Sequence, residues 1–175
     1  MNKAIVGIGI PGAGKTTLLK TFALTHGYVY VSPDDIRKEL TGNEINQTRN
    51  ADVWEEVHER CREGLRNGTI VLDSTMVNTE QRKSMLAFLR EHGAEHIQGV
   101  YCDAPFSTAL ERNSDRERVI PGHAMARMKR LITEAPPETS EGFDSLFTFD
   151  EYGALVRAEM MHGGQEVARE FKKFR

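Results

Sequence analysis

Gly9-Ile10-Pro11-Gly12-Ala13-Gly14-Lys15-Thr16 fits the pattern G-x-x-x-x-G-K-[ST] at every fixed position. An apolar stretch, Ala4-Ile5-Val6-Gly7-Ile8, precedes it, and Thr17-Leu18-Leu19-Lys20-Thr21-Phe22-Ala23-Leu24 continues it with a helical character. Glycine-rich turns also join ordinary strands to ordinary helices. Here the Lys-Thr pair stands in register and both flanks are of the required type, so the stretch reads as a cradle for a nucleoside triphosphate. Glycines let the backbone turn its N–H groups inward without Cβ clashes, and the helix that follows adds the positive end of its dipole. Gly9, Pro11, Gly12, Ala13, Gly14, Lys15, Thr16 and Thr17 are therefore the candidate donor-binding residues. Lys15 can reach the β- and γ-phosphates of ATP, and the Thr16 hydroxyl suits Mg²⁺.

The rest of the chain extends this unit. Short β-rich runs alternate with amphipathic helical patterns, which predicts an α/β fold with a central, mostly parallel sheet flanked by helices. Strands are expected at Tyr28–Val31, Thr69–Leu72 and Ile97–Cys102, with Leu146–Phe149 as the last. Val53, Val57, Cys61 and Leu65 recur every fourth residue and draw one apolar helix stripe. Asn78 with Gln81 resembles a capping box opening another helix, and 105–113 reads as a further one. Met125, Met128, Leu131 and Ile132 form a packing face, Ala135-Pro136-Pro137 a linker, and Glu166–Arg175 a helix-like end with a basic, solvated cluster. With 175 residues and neither an internal repeat nor a composition break, one domain over 1–175 is expected.

Composition bounds the function. No apolar run reaches the roughly 20 residues that span a bilayer, and the first strand begins too early to leave space for a signal peptide. Cys61 and Cys102 sit in apolar settings without metal-ligand spacing, which suits a reducing, cytoplasmic compartment. The six histidines show no such spacing either; His26 and His92 precede glycines at expected helix ends, where a ring serves a carbonyl. A net charge of −3 argues against coating nucleic acid by bulk electrostatics, though not against a local groove holding one strand end.

Three absences narrow the reaction. No Asn-Lys-x-Asp follows a strand to read guanine. Asp73 is followed by Ser74 rather than by a water-activating glutamate, and the chain is short for a translocating motor. A compact phosphotransferase remains, in which catalysis is positioning and charge neutralisation. Ser32-Pro33-Asp34-Asp35-Ile36-Arg37 follows the second strand, where ligands bind in a parallel sheet. Asp34 can take an acceptor hydroxyl's proton and Arg37 can hold an acceptor phosphate or carboxylate; equally, Asp34 and Asp35 can simply enrich a helix's first turn. The run from Leu110 to Pro121 contains Arg112, Arg116 and Arg118 and reads either as an arginine-bearing lid or as an exposed helix with interleaved acids. Trp54 and Tyr30 can stack on a base, but Trp54 adjoins the apolar stripe and reads first as core.

Taken together, Gly-x-Pro-Gly-x-Gly-Lys-Thr-Thr, Asp34-Asp35-Ile36-Arg37, Asp73-Ser74-Thr75 and Arg112-Asn113-Ser114-Asp115-Arg116 resemble the P-loop 5′-hydroxyl polynucleotide kinases over roughly residues 3 to 133. The resemblance implies the P-loop kinase fold with an arginine-bearing lid. It also implies Asp34 as general base and Arg37 on the acceptor's 3′-side phosphate. Lys15, Thr16, Arg112 and Arg116 then belong to the donor, with Lys15 and Arg116 in catalysis. Asp73 and Thr75 fall to the acceptor side, and Thr16 with Asp73 to Mg²⁺. ATP and Mg²⁺ are the implied cofactors, and a 5′ end of DNA or RNA the implied partner and substrate.

The chain departs from that family's two-domain members. Nothing after residue 135 offers Asp-x-Asp-x-Thr, and Phe149-Asp150-Glu151-Tyr152 does not replace it, so no phosphatase domain is expected. Related P-loop kinases act on nucleosides, small metabolites or hydroxymethylated bases in DNA. A nucleotide-gated binding module is a further alternative. Residues 41–52, where acceptor choice would be made, match no motif.

Overall fold

The computed structural model describes residues 1–43, 46–116, 118–162 and 165–170, the last six and His162 by their backbone alone. Its centre is β1 (Lys3–Ile8), whose Ala4, Ile5, Val6 and Ile8 are all buried. A strand covered on both faces reads as a continuous apolar run rather than an alternating one. β1 pairs in parallel with β3 (Ile70–Leu72) on one side and with β4 (His96–Cys102) on the other. β2 (Val29–Val31) lies outside β3, and β5 (Ser145–Phe149) outside β4, both parallel. The seven-stranded order is β2-β3-β1-β4-β5-β6-β7.

The helices are α1 (Lys15–His26), α2 (Pro33–Thr41), α3 (Asn50–Asn67), α4 (Thr79–Glu91), α5 (Phe106–Ser114) and α6 (Gly122–Glu134). The stripe on α3 is core, with Val53, Val57, Cys61 and Leu65 all fully buried. Ser32 Oγ accepts from the Asp35 amide and Asn78 Oδ1 from the Gln81 amide, so α2 and α4 begin where their caps place them. Met125 and Ile132 pack α6 into the core. The His26 and His92 rings lie 2.9 and 2.8 Å from the carbonyls of Phe22 and Phe88.

One end of the chain departs from expectation. Leu146–Phe149 is followed by β6 (Leu155–His162) and β7 (Gln165–Glu170), an antiparallel hairpin that extends the sheet. The expected helix over Glu166–Arg175 is therefore strand through Glu170, and 171–175 lie outside the described residues. Charged and apolar residues there are too evenly mixed to fix a period, and backbone pairing such as Met160 with Val167 decides the outcome.

Candidate functional site

The carboxyl ends of β1, β2 and β3 open on a cleft of about 380 Å³, where an open parallel sheet places its ligands. Its phosphate-loop side is shaped by backbone. Gly12 has φ 79°, and a Cβ there would stand 2.2 Å from the Ala109 carbonyl oxygen. Gly14 precedes α1 with φ 100°, and no side chain caps that helix. The first-turn N–H groups of α1 are thus left for an anion, unlike those of α2 and α4.

Lys15 is buried, and its Nζ donates to the Ile10 carbonyl at 2.9 Å. Burial pulls its pKa below the usual lysine range, against the opposing charge of Asp73. Asp73 Oδ2 accepts from Thr16 Oγ1 and from the Tyr30 hydroxyl, both at 2.6 Å. The Tyr30 hydroxyl is held protonated by burial first and by the Asp73 charge second. Sequence reasoning had Tyr30 only as a stacking surface. Its position, paired with a strand-end acid 43 residues on, leaves no local signal.

Across the cleft, Asp34 stands in the first turn of α2 and faces the same space as Lys15 and Thr16. Its Oδ1 accepts from Arg37 Nη1 at 2.7 Å and from Arg118 Nη1 at 2.6 Å. Arg37 is 5% exposed, and Nη2 donates to Asn50 Oδ1 at 3.2 Å. Its Nε is buried and finds no hydrogen-bond partner among the described residues. Trp54, half-buried, lines the cleft as well as packing against the core.

Of the residues singled out from sequence, the structure brings Pro11, Lys15, Thr16, Asp34, Arg37, Asp73, Thr75 and Arg116 to this one cleft. Ala13, Gly14, Thr17 and Arg112 instead border a second cleft of about 690 Å³ on the other side of the phosphate loop, walled by Leu18 and Phe22. Arg112 Nη2 donates there to the Glu151 carbonyl at 2.7 Å. The two lid arginines part because α5 ends at Ser114, so a spacing of four no longer places them on one helix face.

Arg82 was also missed. It is buried on α4, forks onto Glu141 with two bonds of 2.6 Å, and donates to the carbonyls of Met76 and Val77 at 3.1 Å. It thereby braces the segment after Asp73, where Met76 holds φ 43°.

A phosphate loop on an uncapped helix, a lysine, a hydroxyl–carboxylate pair and an acid opposite them define a kinase-type phosphotransferase of the P-loop class. Residues 5–135 match the family described as AAA domain, and the chain belongs to that family. It is 26% identical over 113 residues to a protein of Acanthamoeba polyphaga mimivirus named as a bifunctional polynucleotide phosphatase/kinase, covering 64% of this chain and 23% of that one. It is 36% identical over 117 residues to a cytidylate kinase of Haloquadratum walsbyi (strain DSM 16790 / HBSQ001), covering 62% of this chain and 56% of the relative. The chain thus spans a quarter to a little over half of these relatives' lengths. Among solved structures, a chain of the Pnkp1/Rnl/Hen1 RNA repair complex superposes with a TM-score of 0.69 at 21% identity, over 82% of this chain and 46% of that one. That last likeness is one of fold. These findings bear out the resemblance to the polynucleotide kinase family.

Proposed function

We propose that the protein is an ATP-dependent kinase that transfers the γ-phosphate to a 5′-hydroxyl end of DNA or RNA. The observation that carries this reading is Asp34, with Arg37 beside it, facing Lys15, Thr16 and Asp73 across one cleft. The acceptor oxygen attacks the γ-phosphorus, the bond to the β-phosphate oxygen breaks, and the hydroxyl proton passes to Asp34. Lys15 and Arg116 neutralise charge on the transferring group. Thr16 and Asp73 supply two hard oxygens already 2.6 Å apart and facing the cleft, a donor set that fits Mg²⁺. Thr16 and Asp73 would hold the ion there, and the chemistry it would supply is neutralisation of charge on the donor phosphates. The second cleft, with its apolar wall and Arg112, suits the donor's base.

Transfer of radiolabelled γ-phosphate to single- and double-stranded 5′-hydroxyl oligonucleotides of DNA and RNA tests the reading. Labelled product that disappears in Asp34→Ala is expected, and no product on any of the four defeats it. A second reading, with a nucleoside, metabolite or hydroxymethylated base as acceptor, draws on the cleft's size and the cytidylate kinase relative. It predicts that a panel of such hydroxyls is phosphorylated, Asp34-dependently, while oligonucleotide ends are ignored.

A further inference from the structure

We infer that Arg118 is the second arm of a clamp for a phosphate adjoining the acceptor hydroxyl, and that the arriving phosphate draws both arginines off Asp34. The inference deepens the reading above and rests on it for the acceptor's identity. Both guanidiniums now bond one oxygen, Asp34 Oδ1, at 2.7 and 2.6 Å. Two donors fill Oδ1, and the carboxylate's second oxygen is left to take an alcohol's proton. The arrangement also carries two cations against one carboxylate, with the Arg37 side chain 6% and the Arg118 side chain 17% exposed. A partly buried pair of arginines with charge in excess is a ready partner for phosphate, which accepts from planar forks in parallel pairs.

A second observation points to the same ligand. The buried Nε of Arg37 has no partner among the described residues, although buried N–H groups are nearly always satisfied. A fork that turns from Asp34 toward a phosphate oxygen can use Nε and one Nη together. Arg118 comes from the segment between α5 and α6, 84 residues from Asp34, so it can leave without disturbing α2. Arg118 thus acts as a specificity residue that reads the acceptor's phosphate.

The test uses the full chain saturated with ADP and Mg²⁺, with adenosine 3′-monophosphate and adenosine titrated by calorimetry into wild type, Arg118→Gln and Arg118→Lys. Wild type should bind the phosphate-bearing nucleoside about tenfold or more tightly than adenosine, the worth of one charged hydrogen bond or better. That ratio should collapse in Arg118→Gln and persist in part in Arg118→Lys, which keeps the charge but not the fork. The corresponding ratio of kcat/KM for 5′-phosphorylation should fall with it. A wild type that binds both alike, or a ratio that Arg118→Gln leaves intact, overturns the clamp. Thermal unfolding of each variant separates a lost contact from a lost fold. Should the binding ratio behave as expected while neither compound accepts phosphate, the clamp stands and the 5′-hydroxyl kinase reading falls.

Discussion

On the phosphate-loop side of the cleft, almost every group comes from one continuous run, 9–17, and is fixed by backbone: Gly9 N–H donates to the Thr75 carbonyl at 2.9 Å, and Gly12 lies against that of Ala109. On the Asp34 side, the groups come from α2, α3 and the segment before α6, and side-chain ion pairs hold them together, with Asp34 itself 42% exposed. Buried backbone contacts are costly to rearrange, whereas side-chain ion pairs that share one half-exposed carboxylate can exchange partners more cheaply. The first side is suited to presenting one invariant group, a triphosphate, and the second to discriminating among acceptors.

The sharpest way to break this contrast is to remove one group from each side. Lys15→Ala should lower transfer to every acceptor by about 10²–10³-fold or more, as when a preorganised charge partner is lost. Asp34→Asn should cost about 10²–10⁴ in transfer, the usual worth of a positioned base, yet leave ATP affinity near wild type. Single-turnover transfer and nucleotide binding, measured on both, separate the halves. An Asp34→Asn protein that loses ATP as well would show that they are one unit.

Stability sharpens the same comparison with two glycines that share a left-handed backbone. Gly12→Ala places a Cβ 2.2 Å from a backbone oxygen at φ 79°, and should destabilise by about 3 kcal/mol through strain and overpacking combined. Gly27 has φ 67°, and a Cβ added there would meet nothing within 4 Å, so Gly27→Ala should cost only about 1 kcal/mol for the backbone conformation. Urea unfolding of the two variants reads the difference. Equal losses would mean that the phosphate loop yields as easily as a helix end.

The same division explains what could be read from sequence. The phosphate loop, the strand that feeds it and the Asp34–Arg37 turn are local patterns, and the chain folds as their spacing predicts. The pairing of Arg118 with Asp34, the Tyr30 bond to Asp73 and the Arg82 brace join residues 84, 43 and 59 positions apart. No periodicity encodes such contacts. Arg112 and Arg116 were legible as residues but not as two separate clefts, because a helix end one residue before Asp115 decides that. The β6–β7 hairpin was lost for a related reason: its identity comes from pairing with β5 rather than from its own composition.

The smallest expected effect uses the two thiols, one behind each side of the cleft. Cys102 ends β4 beside Gly9, and burial pushes its thiol up to about 11, with Lys15 pulling the other way. Cys61 lies on the buried face of α3, and burial alone pushes it up to about 12. A thiol whose folded pKa exceeds its unfolded one holds its proton more tightly when folded. The stability it contributes is complete below the unfolded value, about 8.5, and is lost as pH climbs through the folded one. Unfolding free energy should therefore decline above about pH 9. The decline should be shallower in both Cys102→Ala and Cys61→Ala, by the same one-proton slope, and the Cys61 contribution should persist to higher pH because its thiol is displaced further; comparing each variant's slope with wild type removes the constant cost of the cavity. Native protein at pH 8 should also resist iodoacetamide at both positions, since the thiolate is the reactive form. Rapid alkylation of Cys102 alone would mean that the lysine outweighs burial and that the phosphate-loop side is more open than its backbone contacts imply.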